Sequence, residues 1–394
     1  MRYSSLATRI GGPGSGAWDN HFRAVARKAA GEDVIVMSIG DPDFDTPPAI
    51  TDAAIAALKA GDTHYSPLAG RMRLRKAVAS YIVPFAGIPL SAENVAITFG
   101  TQNALYAAST LLLNQGDEAL VLEPCFTTYR ATIESTGARA VTVPCLPELG
   151  WQPNMSTLEA SITPHTRAIY FASPANPTGA AISEANLATI AELAIAHDLW
   201  IVSDEIYCDF IFDGAHHSIA ALPGMAERTI IVGSLSKSHA MTGWRVGWAI
   251  GPEAFVRHAT ALNLALSYGA AGFIQEAAAV ATEQRLPEVD AIRERFRERR
   301  DLVMAALSNT PGLHLHRPAA GMFVMIDVRE TGMDSAAFAK RLYEEQAVSL
   351  LDGAEFGPSG AGFVRLSFAT DEAALTEGCR RIRVFAEGLA RASA

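Results

Sequence analysis

Short runs of β-branched and other apolar residues alternate with longer segments of helical periodicity through most of this 394-residue chain. Residues 183–198 are an example of the intervening segments. Their apolar residues recur at intervals of three and four, as in an amphipathic helix. Strands that are apolar on both faces and separated by helices form a mostly parallel sheet covered by helices on both sides. We predict an α/β fold, a three-layer α/β/α arrangement around a mostly parallel seven-stranded sheet. The seven predicted strands are residues 95–99, 119–123, 139–143, 167–172, 200–204, 229–233 and 245–250.

The chain is longer than one hydrophobic core usually accommodates, so two domains are expected. After about residue 285 the alternation gives way to a charged helical segment and then to the strand-like runs GMFVMIDV and FVRLSFA. We predict a large cofactor-binding domain over residues 46–285 and a small α+β domain over residues 286–394. Residues 1–45 are expected to form an N-terminal arm and part of the small domain. The charged residues 293–301 are expected to form a solvated helix face with ion pairs between residues four apart.

The charge and the cysteine pattern of the chain exclude several classes of protein. The formal net charge is −10, with no run of lysine and arginine, whereas nucleic-acid binding needs a basic surface. No stretch of eighteen uncharged apolar residues occurs, so no membrane span is expected. His216 and His217 are expected to be a surface pair, and no metal site is predicted. Four scattered cysteines are expected to be free thiols of a cytoplasmic protein: Cys125, Cys145, Cys208 and Cys379.

Polar residues of particular types follow four of the predicted strands. Free amides at a helix N-terminus suit a phosphate, and the turn after the first strand opens a helix. Ligands of open parallel sheets bind at the carboxyl ends of the strands, so these residues are expected to converge. In chain order they are Gly100, Thr101, Gln102, Asn176, Asp204, Tyr207, Ser234, Ser236 and Lys237.

The segment SLSKSHAMTGWR, residues 234–245, carries the most informative lysine of the chain. Lys237 follows an apolar strand, where a lysine is placed for chemistry rather than for solvation. Ser234 and Lys237 also fit the SxxK spacing of serine acyl enzymes, but the companion SDN and KTG elements are missing. Arg245 lies beside a glycine and is suited to a phosphate, because the planar guanidinium matches phosphate oxygens in pairs.

These motifs occur in one order along essentially the whole chain. They are GDPDF (40–44), HYSPLAG (64–70), the Gly100 loop, NPTG (176–179), DEIY (204–207), SLSKSHAMTGWRVG (234–247) and FVRLSFA (363–369). The set resembles the class I aminotransferases, which are pyridoxal phosphate enzymes with the aspartate aminotransferase fold. The resemblance implies pyridoxal 5'-phosphate as cofactor and transfer of the amino group of an L-amino acid to a 2-oxo acid.

The resemblance also implies roles for the residues at the strand ends. Lys237 would form a Schiff base with the cofactor and later move a proton at the substrate α-carbon. Asp204 would keep the pyridine nitrogen protonated, because a neighbouring anion favours the cationic ring. Tyr207 and Asn176 would bond the phenolic oxygen, and Phe126 would stack on the ring. The implied phosphate-binding residues are Gly100, Thr101, Gln102, Ser234, Ser236 and Arg245.

The same resemblance implies which residues bind the substrate and which residue contacts a second subunit. Arg365 resembles the arginine that binds the substrate α-carboxylate, with Gly40 and Asn176 assisting. An arginine among apolar strand residues is costly unless an anion meets it. Tyr65 resembles the tyrosine that reaches the phosphate of the neighbouring subunit, which implies a homodimer with shared active sites.

The N-terminal segment and the lysine motif most resemble the aminotransferases that move the amino group of arginine to pyruvate. A guanidinium donor needs a carboxylate or an aromatic face near the pocket mouth, and Trp18, Asp19 and Asp41 are the candidates. Aspartate, alanine and aromatic amino acids are alternative donors. A pyridoxal phosphate-dependent lyase of the same fold is an alternative enzyme, because the first chemical steps are shared. A non-enzymatic effector domain is disfavoured, since every catalytic position is filled, although Phe126 replaces the Trp or Tyr that is commoner in the family.

Overall fold

The computed structural model describes residues 2–10 and 18–393. Within those two ranges, no helix is long and apolar enough to cross a membrane. The helices are α1 (Ser5–Ile10), α2 (Asp19–Ala29), α3 (Pro48–Lys59), α4 (Met72–Ala86), α5 (Thr101–Leu112), α6 (Thr128–Glu134), α7 (Met155–Ala160), α8 (Glu184–Ala196), α9 (Glu253–Leu266), α10 (Gly272–Glu283), α11 (Pro287–Leu307), α12 (Ser335–Gln346) and α13 (Glu372–Ser393). The strands are β1 (Ile35–Val36), β2 (Val95–Thr98), β3 (Glu118–Glu123), β4 (Arg139–Leu146), β5 (Gln152–Pro153), β6 (Thr166–Ala172), β7 (Trp200–Asp204), β8 (Thr229–Ser234), β9 (Gly247–Ile250), β10 (His314–His316), β11 (Phe323–Asp327), β12 (Val348–Ser349), β13 (Leu351–Asp352) and β14 (Phe363–Ser367).

The largest sheet has the strand order β2-β9-β8-β7-β6-β3-β4-β5. Strands β8, β7, β6, β3 and β4 are parallel, whereas β9 runs antiparallel to both of its neighbours and β5 runs antiparallel to β4. All seven predicted strands are present, and the predicted mostly parallel sheet is confirmed. Strand β5 is an eighth strand that the sequence did not predict, because two residues are too few to show an alternating pattern.

Both faces of this sheet are covered by helices. In β6, Tyr170 packs in a hydrophobic cluster with residues of α5 and α9, whereas Ile169 and Phe171 pack in a second cluster with residues of α8. Successive side chains of a strand point to opposite faces, so this division means that each face has its own helix layer. Burying one such side chain stabilises the fold by roughly 1.5–3 kcal/mol. The predicted α/β/α layering is therefore confirmed.

A second sheet is antiparallel, with the strand order β10-β11-β14-β13. It shares one hydrophobic cluster with α11, α12 and α13. Strand β1 pairs in parallel with β12, so the N-terminal segment also contacts this part of the molecule. The predicted domain boundaries near residues 45 and 285 stay a prediction, and residues 11–17 of the predicted arm lie outside the described residues.

The charged segment of α11 is only partly solvated, which corrects the expectation from its sequence. Ion pairs are present within the helix, but Arg295–Glu298 and Arg297–Glu294 join residues three apart and not four. Arg299 and Arg300, however, are only 3% and 1% exposed. Arg299 Nη1 lies 2.6 Å from Asp43 Oδ1, and Arg300 Nη1 lies 2.6 Å from Asp213 Oδ2. These partners are distant in sequence, so the helical charge pattern alone could not reveal the burial.

The expectation of a surface histidine pair is wrong for His216. Its side chain is buried, and Nε2 lies 2.9 Å from Oε2 of the buried Glu205. His217 is exposed, as expected. No group of three or more His, Cys, Asp or Glu that could hold a metal ion occurs among the described residues. The four cysteines are free, as predicted.

Candidate active site

The polar strand ends meet around one cavity of about 360 Å³. Strands β6, β7 and β8 end there at Ala172, Asp204 and Ser234, and β14 of the second sheet contributes Arg365. The convergence at the carboxyl ends of parallel strands is the one expected for an open α/β sheet. All but two of the predicted site residues line the cavity, namely Gly40, Thr101, Gln102, Phe126, Asn176, Asp204, Tyr207, Ser234, Ser236, Lys237, Arg245 and Arg365.

Lys237 brings a partly buried amine to this cavity. Its Nζ donates a hydrogen bond to the carbonyl oxygen of Gly40 at 2.6 Å. Burial lowers the pKa of Lys237 to about 8, an effect that the nearby Asp41 opposes and that Arg365 and Arg245 reinforce. Above that pH the amine is mostly neutral and can act as a nucleophile. Position 40 requires glycine, because a Cβ there would lie 2.3 Å from a ring carbon of Phe323.

Asp204, at the end of β7, is a buried carboxylate that faces the same cavity. Its Oδ2 accepts a hydrogen bond from the Tyr129 hydroxyl at 2.7 Å, and its Oδ1 accepts one from the Ile206 amide at 3.2 Å. Burial raises the pKa of Asp204 to about 6, although both hydrogen bonds lower it. The carboxylate is therefore ionised at neutral pH and able to pair with a cation.

Arg365 is 1% exposed and lies between two aromatic rings. Its guanidinium carbon is 4.2 Å from the ring centre of Phe323 and 4.7 Å from that of Phe356. Nη1 donates to Asn176 Oδ1 at 2.9 Å and Nη2 donates to the Ser38 carbonyl at 2.5 Å. Nε is buried and has no hydrogen-bond partner within the described residues. Burial lowers the pKa of Arg365 to about 9, so this guanidinium would be stabilised by an anion in the cavity.

A second group of anion-binding donors lies at the N-terminus of α5. Thr101 Oγ1 donates to Ser234 Oγ at 3.1 Å, and Arg245 Nη2 donates to the Phe99 carbonyl at 3.0 Å. Gly100 has φ of +80°, and a Cβ there would lie 2.5 Å from Arg245 Nη2, so only glycine lets the guanidinium approach this turn. Hydroxyl groups, free helix amides and a guanidinium form a donor set suited to a phosphate.

Two further predicted residues shape the cavity from the α5 and α6 side. Phe126 lies in the loop before α6. Gln102 accepts a hydrogen bond from Thr128 at 2.6 Å and donates one to Thr132 at 3.0 Å, so it ties α6 to α5. On the other side Tyr207 is buried, and burial raises the pKa of its phenol, so the hydroxyl keeps its proton.

The two predicted residues that do not line the cavity are Gly100 and Tyr65. Gly100 precedes the lining residue Thr101 and contacts Arg245. Tyr65 is 84% exposed, and its ring packs on that of Tyr268 with 4.7 Å between ring centres. This exposed aromatic pair can contact another molecule.

Sequence reasoning missed several lining residues. Tyr129 follows Phe126 by three residues, and this closeness in sequence was the available signal. Apolar lining residues give no such signal, because a side chain that lines a cavity resembles a core residue in the sequence. The missed residues are Ile39, Leu105, Tyr129, Ala172, Ile206, Thr242 and Phe323.

Comparison with known proteins is consistent with this geometry. The profile of the family described as Aminotransferase class I and II matches residues 32–382. An arginine–pyruvate transaminase of Pseudomonas aeruginosa is 49% identical over 389 residues, 99% of each chain. An aspartate aminotransferase of Pyrococcus horikoshii is 37% identical and covers 91% of this chain and 92% of its own. The structure of Thermus thermophilus aspartate aminotransferase with maleate has a TM-score of 0.92 at 33% identity, covering 98% of this chain and all of its own.

The family match and the relatives extend over nearly the whole chain, including every strand end that forms the cavity. The fold of the solved relatives agrees with the two sheets and helix layers described above. The chain therefore belongs to the class I and II aminotransferase family and is an aminotransferase.

Proposed function

We propose that this aminotransferase holds pyridoxal 5'-phosphate covalently through Lys237 and moves the amino group of an L-amino acid to a 2-oxo acid. The observation that carries the proposal is one cavity that combines a lysine of pKa about 8 with two separate anion-binding groups. One group surrounds Arg245 and the other is Arg365. A cofactor phosphate and a substrate carboxylate are two anions that suit them.

The donor set of the cavity supports this cofactor. Gly100 lets the Arg245 guanidinium approach the N-terminus of α5, and Asp204 offers a buried anion for a cationic ring nitrogen. When bound, pyridoxal phosphate supplies an aldehyde that condenses with amines and a cationic ring that withdraws electrons from the substrate α-carbon. Thr101, Gln102, Ser234, Ser236 and Arg245 would hold the phosphate, Tyr207 and Asn176 the phenolic oxygen, and Phe126 the ring face.

Lys237 has two proposed tasks, covalent attachment and proton transfer at the substrate α-carbon. Both require the neutral amine, which its lowered pKa makes accessible near neutral pH. The Gly40 carbonyl accepts a hydrogen from the amine and so restricts where it can point. Arg365 would bind the substrate carboxylate, because its Nε is unpartnered in the described residues while two rings and two hydrogen bonds fix the guanidinium.

We propose arginine as the amino donor and pyruvate as the acceptor, the substrates named for the 49% identical relative. Of the candidates suggested by the sequence, Trp18 and Asp41 line the cavity, whereas Asp19 does not. Glu355 is not among the lining residues of the cavity, but it precedes Phe356, whose ring packs on the Arg365 guanidinium. Burial raises the pKa of Glu355, and neighbouring carboxylates that include Asp19 raise it further. A guanidinium would relieve the repulsion among these carboxylates.

Single-turnover spectra of the cofactor-loaded enzyme test this proposal. Arginine should convert the enzyme to its amino form at least about tenfold faster than aspartate, alanine or phenylalanine, and pyruvate should restore the starting spectrum. Conversion by aspartate or phenylalanine but not by arginine would refute the arginine donor and leave the aminotransferase intact. Release of ammonia without a recoverable amino form would indicate a lyase instead.

Two variants serve as controls in the same measurement. Glu355→Gln removes one charge from the carboxylates around Glu355. The reaction with arginine should become about tenfold slower, while the rate of the reaction with alanine should not change. Arg365→Lys should weaken the binding of arginine and of alanine equally, because a point charge replaces a guanidinium that can form two hydrogen bonds to one carboxylate. If Glu355→Gln slows the reactions with arginine and with alanine equally, Glu355 does not recognise the side chain of the amino donor.

We also propose that the enzyme is a cytoplasmic homodimer with shared active sites. Tyr65 supports the dimer, since its ring is exposed and lies outside the cavity of its own chain. The four free cysteines support a reducing compartment. Light scattering should give about twice the mass of the 41.9 kDa chain, whereas a monomer that retains full activity would contradict the shared site.

A further inference from the structure

We propose that Tyr129 is a positioning residue that keeps the Asp204 carboxylate ionised and oriented toward the ring nitrogen of the cofactor. The inference rests on the proposed cofactor and adds a residue that acts on it through Asp204. Its basis is the hydrogen bond of 2.7 Å from the Tyr129 hydroxyl to Asp204 Oδ2, formed between two buried side chains that both line the cavity.

The surroundings of Tyr129 fix its hydroxyl in place. The residue is 2% exposed, and its ring packs among residues of β3, β6 and β7. Its amide donates to the Phe126 carbonyl at 3.1 Å, which connects it to the loop of the proposed ring-stacking residue. Gln102 holds the first turns of α6 through Thr128 and Thr132, on either side of Tyr129. A rigid donor of this kind restricts the carboxylate to one orientation.

The charges around Asp204 give Tyr129 a defined electrostatic effect. Burial and the nearby carboxylate raise the pKa of the Tyr129 phenol well above its usual range, so the hydroxyl keeps its proton and donates. A donated hydrogen bond stabilises the ionised form of a carboxylate. Glu205, the residue that follows Asp204 and the end of β7, acts in the opposite direction. Lys237 and Tyr207 line the same cavity, and Lys237 therefore has to be removed from a titration that reports Asp204.

The test is the pH dependence of pyridoxal 5'-phosphate affinity in the full chain carrying Lys237→Ala, in which binding is reversible. Asp204 has a pKa of about 6, and the Tyr129 bond lowers it, so affinity should fall as the pH drops through that value. Adding Tyr129→Phe should raise the pKa of Asp204. The fall in affinity should then occur at a pH that is higher by about one unit or more. At pH 6.5 the affinity should then be at least about threefold weaker, with a much smaller difference at pH 8.5.

Tyr170→Phe is the matched control, because Tyr170 is a buried tyrosine of the same cluster whose hydroxyl bonds to Ser109 at 3.1 Å and does not line the cavity. The cofactor phosphate also titrates near pH 6, but its effect is common to all variants. An upward shift in Tyr129→Phe alone supports the positioning role. A pH-independent loss of affinity, an unchanged profile, or equal shifts in both tyrosine variants would overturn it. Absence of binding by the Lys237→Ala parent at every pH would instead contradict the proposed cofactor.

Discussion

Replacing Lys237 with alanine should lower kcat by a factor of about 10⁴ or more, while the protein still binds pyridoxal phosphate without a covalent bond. The loss is large because one amine performs both proposed tasks, attachment of the cofactor and proton transfer at the α-carbon. Binding should persist because the donors around Arg245 and the Asp204 carboxylate do not depend on the lysine. Steady-state turnover and equilibrium dialysis measure the two quantities separately.

Borohydride reduction of the cofactor-loaded wild-type enzyme locates the attachment. The chain has only five lysines, and Lys237 is the one that is not exposed, so the other four are internal controls for non-specific modification. Peptide mapping should place the reduced cofactor on Lys237 alone. The other lysines are Lys28, Lys59, Lys76 and Lys340. Stable label on any of them, with Lys237 unlabelled, would contradict attachment of the cofactor to Lys237.

The part of the site that the sequence predicted consists of residues whose chemistry conflicts with their surroundings. Lys237 follows a buried strand, Asp204 ends one and Arg365 lies within one. Burying a charged group is costly, so a purely structural role does not explain these residues. Parallel strands then bring these residues to one edge without further information, because their carboxyl ends coincide. Local pattern and topology were sufficient for this part.

Other features depend on contacts between residues that are distant in sequence. Tyr129 lies 75 positions from Asp204, and the aromatic rings that enclose Arg365 come from two different segments. The burial of Arg299 depends on Asp43, 256 positions away. Each of these residues has an ordinary explanation in its local sequence, as a core aromatic or a solvated helix charge. Only the tertiary contacts distinguish the actual surroundings of these residues.

Replacing Asp204 with alanine should lower kcat by about 10³-fold and weaken cofactor binding, because a buried anion that faces the ring nitrogen is lost. Removal of the α-proton should become slower relative to the other steps, so the deuterium isotope effect on kcat for α-deuterated substrate should increase. Asp204→Glu keeps the charge and should retain much more activity than Asp204→Ala. This ordering would follow from electrostatic stabilisation and not from the loss of side-chain volume.

Glu205→Gln provides the matched control for Asp204→Ala. Glu205 is the adjacent buried carboxylate, but it bonds to Ser203, Ser218 and His216 and does not line the cavity. Its replacement should lower thermal stability, since it perturbs a buried hydrogen-bond network, and should leave the isotope effect unchanged. A kinetically silent Asp204→Ala, or an equal rise of the isotope effect in Glu205→Gln, would contradict the specific role of Asp204. The two carboxylates are adjacent in the sequence, so the comparison separates a charge that acts on the cofactor from one that stabilises the fold.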